Sequence, residues 1–296
     1  MPFSLRLLML LAVVATVGSA IAPFVSWALA AIVGTAHRLS FPRVYDRVFE
    51  VLAVVTLVAG RRWLGLTSWA GLGLGQAARR RDVWLGLGIA LGSMVVVLGL
   101  MYSFGELRLF WRYPFEKGMR KALAGTVGAA IVGTAEEVLF RGVLLGGLMR
   151  EVRRGHAVAG TTAVYAVAHF LRGGRQVGEV TPASGFERLV GAFAPLADPG
   201  ILPAFIGFVI LGLLLAYARL RSGALYLPIG LHIGWVFTLR VGRIVMDFPQ
   251  RPGLLWGQRH PPLLGGVVGW TALLVSFVVA HCVLQARVTS PPGAHG

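Results

Sequence analysis

Met119–Met149 reads MRKALAGTVGAAIVGTAEEVLFRGVLLGGLM. From Ala122 onward the run is apolar or small, broken only by Thr126, Thr134, Glu136, Glu137 and Arg141. A bilayer span needs about 20 mostly apolar residues, and this run exceeds that. Charged groups at mid-bilayer cost on the order of 3 kcal/mol each, so three of them in one span carry a structural or chemical task. On a helix, positions i and i+4 share a face. Glu137 and Arg141 therefore form an ion pair, which lowers the cost of burying both. Glu136 points about 100° away and has no such local partner. One carboxylate is neutralised by structure and the other is left available. A carboxylate in that situation is suited to act as a general base on water.

The rest of the chain has the same character. Of 296 residues, 56% are hydrophobic and only 14% charged, with 28 Lys plus Arg against 12 Asp plus Glu and a net charge of +16. That combination excludes a soluble globular enzyme. It excludes disorder as well, which needs low hydrophobicity with high charge. It also excludes a nucleic-acid binder, whose basic residues would gather on one polar face. Here long apolar runs alternate with short basic clusters. Reading each run as a span predicts an all-α polytopic integral membrane protein with about eight transmembrane helices. They are Leu5–Val33, Val44–Gly60, Val83–Phe104, Met119–Met149, Ala157–Leu171, Pro203–Leu220, Gly223–Leu239 and Leu263–Gln285. Open strands cannot span a bilayer, because their edges stay unsatisfied. The fifth run is short and holds Thr161, Thr162, Tyr165 and His169, which places it inside the bundle.

Three regions follow: N-terminal helices and loops over 1–118, a core over 119–240, and a loop, last helix and tail over 241–296. The N-terminus resembles a signal peptide, with Arg6, an apolar run and Gly18-Ser19-Ala20, yet the run continues to Val33. That length predicts an uncleaved first helix. Basic residues divide almost evenly between alternate loops, so the positive-inside rule leaves orientation open. Trp63–Arg81 is expected to lie at the interface as an amphipathic segment. The long stretches Arg172–Leu202 and Val241–Pro262 read as surface connections. The single Cys282 excludes a disulfide framework and a Cys-based zinc site. Arginine outnumbers lysine heavily, Lys117 and Lys121 being the only lysines, which hints at a GC-rich bacterial genome and an inner (cytoplasmic) membrane.

Of the 12 carboxylates, only Glu136 and Glu137 lie deep inside an apolar run; the others border loops or span ends. Of the seven histidines, His169, His232 and His281 lie in apolar stretches. Tyr165 precedes His169 by four residues, and Val236 follows His232 by four. A lone span histidine most often hydrogen-bonds between helices, and His281 is assigned that role.

Three motifs occur in order. Glu136-Glu137-Val138-Leu139-Phe140-Arg141 resembles the EExxxR motif of the CPBP intramembrane proteases, the CAAX protease and bacteriocin-processing enzymes of the Abi group. Tyr165-Ala166-Val167-Ala168-His169 is similar to that family's second motif, an aromatic residue four before a His. Gly230-Leu231-His232-Ile233-Gly234-Trp235-Val236 resembles the third, a His followed four residues later by Asn or Asp. The resemblance covers about Met119 to Arg240 and implies an intramembrane endopeptidase. By it, Glu136 activates water, Glu137 and Arg141 orient and support it, and His169 and His232 position the water or stabilise the oxyanion. The implied substrate is a membrane-associated peptide or protein. Prenylated CAAX substrates do not fit a bacterial source.

Val236 departs from the motif. It offers no hydrogen bond, and loss of one oxyanion donor costs about 10²–10³-fold unless Tyr165, Thr238 or a backbone N–H replaces it. Two alternatives follow: a weak or inactive family member acting as an immunity or scaffold protein, or a proton-coupled transporter using the same Glu, Arg and His. Two His and one Glu also make a recognised zinc set, and family members have often been labelled metalloproteases. No H-E-x-x-H run is present, so a metal-free mechanism is expected, with zinc as the alternative. Oligomeric state is not legible.

Overall fold

The computed structural model describes residues 1–33, 40–75, 79–171, 179–258 and 263–289. The chain divides into two compact units, residues 1–67 with 167–199, and residues 68–166 with 200–296.

The first unit is built on α1 (Phe3–Val33) and α2 (Phe41–Gly60). Gly18 lets the two close up, since a Cβ there would meet the Phe49 ring at 2.7 Å. Ala22, Phe41 and Tyr45 form the buried contact. A short amphipathic helix, Ser184–Gly191, lies along α1, with Gly185 against the Ser19 carbonyl. Arg188 on that helix donates to Asp46 Oδ1 at 2.9 Å and stacks over Tyr45.

The second unit contains α3 (Trp69–Leu72), α4 (Asp82–Ser103), α5 (Phe115–Glu137), α6 (Leu145–Leu148) and α7 (Arg154–Ala168, its last residues in the first unit). With the Ser184–Gly191 helix counted as α8, it continues through α9 (Leu202–Ser222), α10 (Tyr226–Val245) and α11 (Val267–Thr289). Helix α10 is the hub, packing along α4, α5 and α9. Its close approach to α4 rests on paired glycines. A Cβ on Gly86 would come 2.3 Å from the Leu227 carbonyl, and one on Gly230 would come 2.0 Å from the Val83 carbonyl. Small residues that let backbones touch are the usual device for tight helix pairs in membranes.

Five helical segments are long and apolar enough to cross a membrane: Phe3–Ile32, Asp82–Ser103, Phe115–Leu148, Pro199–Ser222 and Val267–Ala286. The eight expected from the apolar runs are therefore not all matched. Helix α2 carries Arg43, Asp46, Arg47 and Glu50 in its first half. Helix α7 has 15 residues, a length of about 22 Å against a hydrocarbon core of about 30 Å. Helix α10 carries His232, Arg240 and Arg243. These helices were legible as helices, but their polar content and length set them apart from lipid-facing spans. The expected burial of the fifth run holds: Thr161, Thr162 and Tyr165 are all inside.

The fold is helical with one small exception. Strands β1 (Arg108–Leu109) and β2 (Met246–Asp247) pair antiparallel, Arg108 opposite Asp247. Beside them Glu106, expected to border water, is fully buried. Arg251 neutralises it, donating Nε to Oε1 at 2.5 Å and its backbone N–H to Oε2 at 2.8 Å. Asp82 is also buried, in the first turn of α4. Of Trp63–Arg81, Trp69–Leu72 forms α3, and 76–78 lie outside the described residues. Residues 172–178 and 259–262 of the two long connections lie outside them as well.

The glycine contacts make a direct prediction. Gly230→Val forces α10 off α4 and is expected to destabilise the protein by about 1–3 kcal/mol. Gly88→Val, on the same α4 where nothing lies within 4 Å, is expected to be near neutral. Thermal unfolding of the two purified variants in detergent compares them.

Candidate active site

The Glu-Glu motif stands where the helix changes its winding. Helix α5 ends at Glu137, and Val138–Leu144 continues as a π-helix before α6 resumes. The Leu145 N–H accordingly reaches back to the Phe140 carbonyl, five residues earlier. Such π turns are rare and gather at functional sites. Here the turn buries four consecutive residues, Phe140, Arg141, Gly142 and Val143. Helix α3 lies against it, with the Leu72 carbonyl 3.3 Å from where a Gly142 Cβ would stand. Tyr226 holds that segment by donating its hydroxyl to the Leu74 carbonyl at 2.6 Å.

Glu137 and Arg141 form the ion pair that the i,i+4 spacing implies. Arg141 Nη1 donates to Glu137 Oε1 at 2.7 Å, and both side chains are wholly buried. Arg141 is held on two further sides. Its Nη2 donates to the Gly212 carbonyl on α9 at 3.3 Å. Its guanidinium lies 4.3 Å from the centre of the Tyr165 ring on α7. Tyr165 is itself wedged edge-on against Phe140 and Phe208. A desolvated cation–π contact of this kind adds to the pairing energy.

His232 enters from α10. Its Nδ1 lies 2.8 Å from the same Glu137 Oε1. An ionised carboxylate only accepts, so Nδ1 carries a hydrogen in this contact. The second ring nitrogen, Nε2, is thereby turned to Glu136, 3.7 Å from its Oε2. That separation is too long for a direct hydrogen bond. The Glu136 side chain is 28% exposed, whereas Glu137 and Arg141 are sealed. The two adjacent carboxylates thus differ in surroundings: Glu137 is locked by a cation and an imidazole, and Glu136 is only partly covered.

The remaining residues singled out in the sequence fall as follows. His169 lies in the turn directly after α7 and belongs to the first unit. Val236 stands one turn beyond His232 and is half-buried. Thr238 is no free donor, because its hydroxyl bonds the Gly234 carbonyl at 2.9 Å. His281 bonds the Tyr217 hydroxyl at 2.5 Å between α11 and α9, the helix-joining role assigned to it. Two contributors carried no sequence signal: the Gly212 carbonyl that steadies Arg141, and the π turn. Among the described residues, no group of three or more His, Cys, Asp and Glu is arranged to hold a metal ion. Glu137 Oε1, one possible donor, is taken by Arg141 and His232.

Residues 119–238 match the family model described as type II CAAX prenyl endopeptidase Rce1-like. The matched stretch contains all three motifs and every side chain of the cluster. Over that stretch the chain is similar to Rce1-like proteases. This agrees with the CPBP resemblance of the motifs. No curated protein and no solved structure matches the chain. The match over residues 119–238 and the five apolar segments together suggest an integral membrane protein.

Removing Arg141 leaves the Glu137 charge buried and half-paired. Arg141→Leu is expected to cost about 3–5 kcal/mol, the usual penalty for breaking a buried pair by one partner. Adding Glu137→Gln to it should recover part of that loss. A double-mutant cycle read by chemical unfolding measures both.

Proposed function

We propose that the Rce1-like domain is an intramembrane endopeptidase that cleaves a membrane-associated peptide or protein with a water activated by Glu136. The observation carrying this reading is the facing pair, Glu136 Oε2 and His232 Nε2, 3.7 Å apart. A water between them directs one hydrogen to the carboxylate and the other to the unprotonated ring nitrogen. Its lone pair is then free to attack the scissile carbonyl carbon. Glu136 takes the proton as the C–O bond forms and returns it to the leaving amine as the C–N bond breaks, the ordinary cycle of a general base turned general acid. Glu137 holds His232 in one tautomer and orientation through Nδ1, as a buried carboxylate orients a catalytic histidine elsewhere. Arg141 holds Glu137 in place through its Nη1. None of these steps requires a metal.

His169 enters by the motif resemblance, as an electrostatic partner of the tetrahedral oxyanion. The heavy use of arginine over lysine supports a bacterial cytoplasmic membrane as the setting. Leader removal from a secreted peptide and processing of a membrane anchor both fit a substrate of this class. A weaker enzyme, or a family member retained as an immunity or scaffold protein, is the second reading. It is favoured by Val236, an apolar side chain one turn from His232 where the motif has Asn or Asp.

Glu136→Gln is nearly isosteric and removes the base. Turnover in purified protein is expected to fall by about 10²–10⁴-fold with the fold intact. Peptidomics of membranes from cells expressing wild type or the variant supplies the substrate; unchanged products would sink the assignment. Val236→Asn restores a donor and is expected to raise turnover, by up to about 10²-fold. Cleavage rates of the substrate found in that comparison measure the gain, and the absence of any gain counts for the scaffold reading.

A further inference from the structure

Helices α1 and α2 of the first unit leave a groove of about 510 Å³ between them. Two rows at four-residue spacing wall it: Ile21, Val25 and Leu29 on α1, and Val44, Val48 and Leu52 on α2. Residues four apart share a helix face, so each row is a continuous apolar strip. Arg43 and Arg47, also four apart, are the charged residues in the wall of this groove.

Helix α2 changes character along its length. Its charged residues, Arg43, Asp46, Arg47 and Glu50, all fall in its first half. The second half is apolar, and Val51, Val54, Val55 and Val58 are exposed. Exposed valines on an uncharged half-helix suit lipid chains, whereas the charged half suits the headgroup layer. Helical side chains lean toward the N-terminus, so both arginines are carried away from the valines and toward the headgroups. From Arg43 to Leu52 the helix advances about 14 Å. Half of the hydrocarbon core is about 15 Å, so the groove matches the depth of one leaflet.

Charge decides what enters. Asp46 accepts from Arg188 Nη2 at 2.9 Å, and Glu50 is paired with Arg47. Arg43 is exposed and has no hydrogen bond or ion pair among the described residues. Both carboxylates on this face of α2 are therefore matched, and one positive charge is left over at the polar end of an apolar groove. A zwitterionic headgroup brings its own cation and leaves that charge unmatched. An anionic headgroup neutralises it. We propose that the α1–α2 groove is a binding site for an anionic phospholipid, with one acyl chain between the two apolar rows and the phosphate on Arg43. The guanidinium takes two phosphate oxygens through parallel N–H bonds. The site uses none of the residues of the Glu-His cluster and stands independently of the endopeptidase reading.

The test is native mass spectrometry of the full-length protein in detergent, titrated with dioleoyl phosphatidylglycerol or dioleoyl phosphatidylcholine. The two lipids share their acyl chains and differ in headgroup charge. Phosphatidylglycerol is expected to bind about fivefold more tightly, the contribution of one basic residue at an anionic headgroup. Arg43→Met keeps the aliphatic stem and should abolish that preference while leaving phosphatidylcholine binding unchanged. Arg43→Lys keeps the charge and should retain most of it. Val51→Phe, at an exposed position in the groove wall, should weaken binding of both lipids. Arg153→Met removes the same charge from the second unit and should leave the preference intact. Equal binding of the two lipids, a preference that survives Arg43→Met, or an equal loss in Arg153→Met overturns the inference. So does a lipid-free dimer that Val51→Phe dissociates, which assigns the groove to a second copy of this chain.

Discussion

A single carboxylate oxygen organises the second unit. Glu137 Oε1 accepts from Arg141 on the π turn and from His232 on α10, with every group involved inside the protein. Several kcal/mol of desolvation would make a lone charge there untenable. Arg141 supplies the opposite charge, and the Gly212 carbonyl and the Tyr165 ring supply the rest of its surroundings. Four helices, α5, α7, α9 and α10, are thereby tied to one point. Any of them displaced leaves a buried ion short of a partner.

The surrounding architecture serves that point. The π turn over Val138–Leu144 lets Arg141 face inward together with Phe140 and Val143. The interlocked glycines Gly86 and Gly230 bring α10 within backbone contact of α4. That contact fixes how His232 is presented, since it lies two residues after Gly230. The outcome is a pair of neighbouring carboxylates in different surroundings. Glu137 is held by Arg141 and His232 and wholly buried, while the Glu136 side chain is 28% exposed.

Much of the candidate site was legible because its signals are local. Four-residue spacing along a helix brings Glu137 to Arg141, and the rarity of ionisable groups in an apolar run marks them out. The all-helical membrane character follows from composition in the same way. Long-range facts were not legible. Five of the described helical segments are long and apolar enough to span, against eight apolar runs, because runs with buried polar residues such as those of α7 and α10 read much like runs that face lipid. Glu106 is a loop residue as expected, but nothing local shows that it is buried and paired with Arg251, 145 positions away. The π turn has no composition of its own in Val-Leu-Phe-Arg-Gly-Val-Leu.

What the sequence by itself determined is a strongly apolar helical chain with two adjacent glutamates inside one apolar helix and an arginine one turn on. These are matters of hydrophobicity and short-range helical geometry, which neighbouring residues decide between themselves. Only the tertiary structure decided which nitrogen of His232 meets Glu137 and which faces Glu136. Those depend on how helices distant in sequence pack, and packing is set by close contacts at residues such as Gly86 and Gly230, whose partners no local pattern names.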